Sequence, residues 1–152
     1  DAVFCCLGNT IKKAGSQDAF KMVDEEMPVA LAQWAQSKHV SYMGIISAVG
    51  SSESSSVFYN RVKGSMERRI KELNMKSVGF FRPSLLLGNR SEKRFLEKIA
   101  IILFGSIRSL VPAKWRPVFD HQVANAMWED FLKHETGAHY IENSHMVQYI
   151  TK

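Results

Sequence analysis

Short apolar runs that alternate with stretches of helical period constrain this chain more than any other feature. Asp1 to Gly8 is an apolar run closed by glycine, which suits a strand buried on both faces, as in a parallel sheet. Asp18 to Lys38 follows, with Phe20, Val23, Met27, Ala30, Leu31, Trp34 and Ala35 in one apolar stripe. Pro28 interrupts that stripe and predicts a short first turn or a kink before the main helix. Val40 to Ile46 reads as a second strand. Ser51 to Ser56 is a polar loop whose last serines are placed to cap the next helix. That helix, Val57 to Leu73, carries Phe58, Val62, Met66, Ile70 and Leu73 on one face. A third strand, Ser77 to Arg82, stops at Pro83. Beyond Leu85 to Gly88 come a helix near Glu92 to Leu103, an irregular Arg108 to Pro117, and a helix over His121 to Lys133. A strand at Ala138 to Glu142 and a short helix at Ser144 to Ile150 close the chain. The order predicts an α/β fold with a mainly parallel sheet and flanking helices.

Length allows one domain, residues 1–152, with a real core and is short for two independent domains. The longest uncharged stretch around the most apolar segment, Ile99 to Ile107, is nine residues, too short to span a bilayer as a helix. No basic-then-apolar leader opens the chain. Cys5 and Cys6 are adjacent and cannot build a disulfide framework, so the expected setting is reducing and cytoplasmic. The chain opens on Asp1, without Met and directly in a strand-like segment, and reads as a piece of something longer.

The sharpest local pattern is Tyr59-Asn-Arg-Val-Lys63. Tyrosine and lysine four apart share a helix face. A nearby ammonium favours phenolate and is expected to lower the phenol from about 10 toward working pH, which suits a general acid or base. Twelve residues before Tyr59, Ser47 closes the second strand, at the carboxyl end where ligands bind in open α/β sheets. It is placed to donate to the substrate oxygen that Tyr59 protonates. On spacing alone, Tyr-x-x-x-Lys is also what a packing tyrosine and a solvated lysine look like.

Together and in order, Val3 to Thr10, Ile45-Ile-Ser47, Phe58 to Gly64 and Phe80-Phe-Arg-Pro-Ser-Leu-Leu-Leu-Gly88 resemble the short-chain dehydrogenase/reductase superfamily. The resemblance is strongest to its atypical branch, the NAD(P)H-binding reductases similar to the Tat-interacting protein, and runs from residue 1 to about Arg94. It implies a Rossmann-like fold, with Tyr59 as catalytic acid/base, Lys63 on the nicotinamide ribose and Ser47 orienting a carbonyl. It also implies cofactor contacts from Leu7, Gly8, Asn9, Pro83, Leu86 and Arg94. The expected cofactor is NADP (as NADPH) ahead of NAD, with no metal, and the expected substrate a small carbonyl or alcohol. The family's Gly-rich phosphate loop is absent from these residues: Gly8 and Gly15 are seven apart. The family's pattern thus reads the chain as the C-terminal part of the fold, with N-terminal βα units outside it. The competing reading is a non-catalytic member that senses NAD(P)H or binds a protein. A homodimer through the helices at 18–38 and 57–73 stays open.

Residues 82–116 hold eight Lys/Arg and two Asp/Glu. Most of these charges read as solvated surface, with Arg82, Arg90 and Arg94 the candidates for a cofactor phosphate. No nucleic-acid motif or aromatic stacking platform accompanies them, so no specific nucleic-acid partner is expected. His134, His139 and His145, with Glu135 and Glu142, lack a recognised metal-ligand spacing.

Overall fold

A computed structural model describes residues 1–87, 111–133 and 135–149. The predicted helix at Glu92 to Leu103, together with Arg90, Arg94, His134 and Ile150, lies outside the described residues. Strands β1 (Ala2–Cys5), β2 (Tyr42–Ile46), β3 (Ser77–Arg82) and β6 (Gly137–Glu142) form a four-stranded sheet in the order β1-β2-β3-β6, parallel throughout. A second, two-stranded parallel sheet pairs β4 (Leu86–Leu87) with β5 (Val118–Phe119). Helices α1 (Ile11–Ala14), α2 (Gln17–Lys21) and α3 (Met27–Ser37) lie between β1 and β2, and α4 (Phe58–Lys71) lies between β2 and β3. Helices α5 (Asp120–Lys133) and α6 (Asn143–Met146) flank β6 in the chain. The sheet is Rossmann-like, as its alternating pattern predicts.

Side-chain alternation along the central strands divides the core in two. Met43 and Ile45 of β2 and Val78 and Phe80 of β3 pack with Val29, Ala32 and Ala35 of α3 and Met66 and Ile70 of α4. Phe81 and Ile141 face the other way, against Val123, Ala126 and Met127 of α5 and Met146 of α6. On that second face Gly44 and Gly79 lie side by side in the register. A Cβ at Gly79 would stand 2.6 Å from Asp130 Oδ2 and 3.0 Å from the Tyr42 hydroxyl oxygen. The close approach lets Tyr42 donate to the buried Asp130 across 2.8 Å.

Three expectations need correction. The first strand is not buried on both faces: among the described residues β1 pairs only with β2, and Phe4 is 39% exposed. The apolar stripe of the second segment holds at Phe20 and Ala35, both buried, but is out of phase between them, with Met27 and Trp34 exposed and Val29 and Ala32 buried instead. The cause is a π-helical turn, Met22–Glu26, between α2 and α3. Its wider i→i+5 winding inserts one residue and rotates everything after it by one position. Pro28 sits in the first turn of α3, where its missing N–H costs little. The serine loop also does not cap α4, whose N-cap is Val57 without a side-chain bond.

Candidate functional site

The carboxyl ends of β1, β2 and β3 converge with α4 and the π turn, and each contributes by a definable route. Ser47 follows β2 directly and its N–H donates to the Phe81 carbonyl (2.6 Å), while Val49 N–H reaches the Pro83 carbonyl (3.0 Å). The turns after β2 and β3 are thereby tied together, with Pro83 buried. The serine loop then lies directly on α4. A Cβ at Gly64 would stand 2.3 Å from the Ser52 carbonyl carbon, so only glycine fits beside Lys63.

Tyr59 and Lys63 occupy the first half of α4. Phe20 of α2, fully buried, packs on the Tyr59 ring (centroids 5.6 Å) and on Phe58 (5.8 Å). Lys63 is also buried, and its Nζ donates to the Ile46 carbonyl at 3.3 Å. The same Nζ lies 3.0 Å from Asp24 Oδ1, with the two side chains 2% and 1% exposed. This is a charge contact, since Oδ1 takes no aligned hydrogen bond. Asp24 Oδ2 accepts the Asn9 N–H at 2.8 Å. The acid therefore bridges the loop after β1 to the lysine of α4.

Burial and that pairing together overturn the expected activation of the phenol. Burial first, and the Asp24 carboxylate second, push Tyr59 up to about 12 rather than down. The Lys63 charge is matched by Asp24, so it does not prevail at the phenol. At neutral pH Tyr59 is a protonated acid, not a phenolate.

Ser47 is 2% exposed and donates to Glu67 Oε1 across 2.5 Å, with the Ser51 hydroxyl 3.0 Å away. Glu67 in turn holds Arg82 through both carboxylate oxygens (2.9 and 2.6 Å). Arg82 also reaches Glu142 (3.1 Å) and covers the Tyr140 ring at 4.3 Å. Arg82 is thus spent on two acids and a ring, which corrects its reading as a phosphate ligand. Pairing with Glu67 raises its guanidinium further above its ordinary value.

Leu7 and Leu86 are each 41% exposed near the carboxyl ends of β1 and β3. Gly8 has ordinary room, since a Cβ there would meet Asp24 Oδ1 at 3.6 Å. The structure thus brings together the loop of Gly8 and Asn9 with Lys63 through Asp24, and Ser47 with the turn of Pro83. Arg94 lies outside the described residues. Sequence reasoning missed Asp24 and Glu67. Asp24 had a legible signal, an acid four residues after Phe20 on the same helix face, and Glu67 repeats it four residues after Lys63.

Away from this end of the sheet, single ligand atoms of Asp130, Glu135 and His139 lie within 4.8 Å of one another. Asp130 Oδ2 already receives Tyr42 and stands 2.7 Å from His139 Nε2, so the group reads as a tether between α5, β2 and β6. Among the described residues no helix is long and apolar enough to cross a membrane.

No family model matches the chain. Protein HTATIP2 of Rattus norvegicus is 37% identical over 115 residues, covering 76% of this chain and 46% of the rat protein. "Protein FMP52-1, mitochondrial" of Scheffersomyces stipitis is 31% identical over 139 residues, covering 87% of this chain and 61% of its own length. The chain thus spans about half the length of the curated relatives it matches. Among solved structures, MoeE5 in complex with UDP-glucuronic acid and NAD superposes with a TM-score of 0.68 at 14% identity, over 92% of this chain and 55% of that one. A dTDP-4-dehydrorhamnose reductase from Bacillus anthracis in complex with NADP gives 0.66 at 13%, over 93% and 55%. The mitochondrial names of the fungal relatives overturn the expected cytoplasmic setting.

Proposed function

The chain belongs to the atypical short-chain dehydrogenase/reductase superfamily, on the branch of Protein HTATIP2, and from that membership we propose that it carries the reacting side of an NAD(P)H-dependent oxidoreductase acting on a carbonyl or alcohol. The observation that carries this reading is the Tyr59 phenol one helical turn from the buried Lys63, at the carboxyl ends of parallel strands. A resting phenol favours the reductive direction, in which the tyrosine gives up a proton.

The donor set fits the ribose side of a dinucleotide. Lys63 spends one aligned N–H on Ile46, and an ammonium has three, so donors remain for ligand hydroxyls. Leu7, Gly8, Asn9, Pro83 and Leu86 would line the approach. When bound, the reduced dinucleotide supplies hydride to the carbonyl carbon. Tyr59 donates its proton to the oxygen as negative charge develops there. Ser47 donates to Glu67 at rest, so orienting a carbonyl requires its hydroxyl to turn from Glu67 to the substrate. NADPH is proposed ahead of NADH on the net positive charge of residues 82–116, and a mitochondrial location on the names of the fungal relatives.

The test is Tyr59→Phe in the full-length protein. Turnover should fall about 10²–10⁴-fold, the usual worth of a general acid, with dinucleotide affinity kept, whereas Lys63→Ala should lower both. Unchanged turnover in Tyr59→Phe would sink the assignment. Dinucleotide binding by a wild type that turns over no carbonyl or alcohol would assign the non-catalytic sensing role instead.

A further inference from the structure

The π turn points two successive acids inward, Asp24 fully buried and Glu25 8% exposed. Glu25 clasps the outer side of α4, accepting the Ser65 hydroxyl at 2.6 Å and Arg69 at 3.1 Å. Asp24 lies deeper, and none of its contacts is needed to close the helix. One oxygen takes the Asn9 N–H and the other faces the Lys63 ammonium without an aligned hydrogen bond. A buried carboxylate with an oxygen left in this state is expensive to keep unless its charge has a use.

We propose that Asp24 is a positioning residue of the Tyr59–Lys63 site: it anchors Lys63 beneath the loop after β1 and cancels the lysine charge at the phenol. The inference rests on the reductase reading and adds to it a group that, beside burial, bears on how Tyr59 rests. Three elements bring charged or titratable groups to this place. The π turn supplies Asp24, α4 supplies Lys63, and β1 supplies the buried Cys5 thiol, which feels both charges. From α2 comes the Phe20 ring. The thiol is itself pushed up, chiefly by burial, so it is neutral near pH 7, and the charges beside Tyr59 are those of the ion pair. Because Asn9 hangs from the same carboxylate, a ligand that moves the loop after β1 also moves the partner of Lys63.

Asp24→Asn isolates the charge, because the amide oxygen still accepts the Asn9 N–H while the counter-ion of Lys63 is gone. The measurement is an ultraviolet phenolate titration of the full chain without substrate or dinucleotide, with Tyr59→Phe in each background to isolate the Tyr59 signal. The expected result is a Tyr59 midpoint lowered by about one pH unit or more, the usual effect of an uncompensated cation nearby. A folded Asp24→Asn protein whose Tyr59 titrates as in the wild type overturns the proposal. Should that variant not fold, Asp24→Asn with Lys63→Met removes both charges and leaves neither ion alone. The midpoint should then stay within about half a unit of the wild type, and a larger displacement overturns the proposal equally. Neither titration depends on turnover, so failure here leaves the reductase reading standing, and an active Tyr59→Phe protein would fail that reading without touching this one.

Discussion

Ser47 donates its hydroxyl to Glu67 Oε1 across 2.5 Å, and Arg82 Nε donates to that same oxygen at 2.9 Å. One carboxylate thus joins the end of β2 to the end of β3 through α4, and Glu142 extends the chain of contacts to β6. The glutamate side chain is 4% exposed and the arginine 20%, so little water is available to replace either partner. Glu67→Gln keeps an acceptor for Ser47 but turns an amide N–H₂ toward Arg82. A loss of about 2–3 kcal/mol is expected, at or below the lower end for breaking a buried pair because Arg82 is partly wet. Denaturant unfolding reads it directly, and a change below about 0.5 kcal/mol, the size of an ordinary surface substitution, would show that Glu142 alone satisfies Arg82.

The Tyr59 phenol predicts a pH profile. Its value of about 12 keeps the acid form present through neutral and mildly alkaline solution. In carbonyl reduction, kcat/KM reports the free enzyme, and should show no fall due to Tyr59 below about pH 10. The activated phenol expected from the Tyr-x-x-x-Lys spacing predicts a fall near neutrality instead. A single profile from pH 6 to 10.5 separates the two, and a fall near pH 7 that Asp24→Asn leaves in place would contradict the pairing described above.

Gly64 governs how the serine loop meets α4. A methyl group there would stand 2.3 Å from the Ser52 carbonyl carbon and 2.5 Å from the Glu53 nitrogen. Both are backbone atoms, so no side chain can swing away. Gly64→Ala gains helix propensity of about 1 kcal/mol but must displace the loop, and overpacking of this kind costs about 1–3 kcal/mol. The net expectation is a protein of equal or lower stability, with weakened substrate affinity because the loop after Ser47 has moved. A variant stabilised by a full 1 kcal/mol with unaltered affinity would show that the loop does not rest on Gly64.

Most of the framework was legible because the strands are short apolar runs with clear stops. Ser77–Arg82 ends where Pro83 removes a donor, and the face of Val62, Met66 and Ile70 is buried as its spacing requires. What escaped was charge that the fold buries. Nothing in Tyr-x-x-x-Lys says that Lys63 has a carboxylate partner 39 positions earlier, nor that a π turn rotates Asp24 inward. A period of 3.6 assumes an unbroken helix, so one inserted residue misplaced Met27 and Trp34 as well. Arg82 misled for a related reason. A basic residue next to a site motif looks like a phosphate ligand until its acids, from α4 and β6, are seen.

His139 gives a second pH effect, this time on stability. Its Nε2 stands 2.7 Å from the buried Asp130 carboxylate, its Nδ1 faces the Gly137 carbonyl at 3.2 Å, and Glu135 adds a further negative charge. These raise the ring above its ordinary 6.5, the Asp130 hydrogen bond most. A raised value in the folded state means that the protonated ring favours folding. The contribution is complete below about pH 6.5 and is lost as pH climbs through the folded value. Wild-type stability should therefore decline from pH 6 toward alkaline pH more steeply than that of His139→Gln, by thermal unfolding in matched buffers. Parallel slopes would mean that the ring is neutral throughout.

The outer edge of β1 is, among the described residues, an open edge of the four-stranded sheet. Among the described residues β1 pairs only with β2, and Phe4 at 39% and Leu7 at 41% exposure leave apolar surface beside its open backbone groups. Neither proline nor lysine blunts the strand, Ala2–Cys5, although such residues are the usual guards of an edge. Residues 1–152 expressed alone should therefore self-associate at micromolar concentration. The exposed Cys6 offers a rival route through an intermolecular disulfide, and a reducing agent tells the two apart. Association through the edge persists in reductant and weakens in Cys6→Lys, which sets a charge where a second strand would pair. Association that vanishes in reductant is disulfide chemistry, and a monomer by light scattering under both conditions would show that the edge is protected after all.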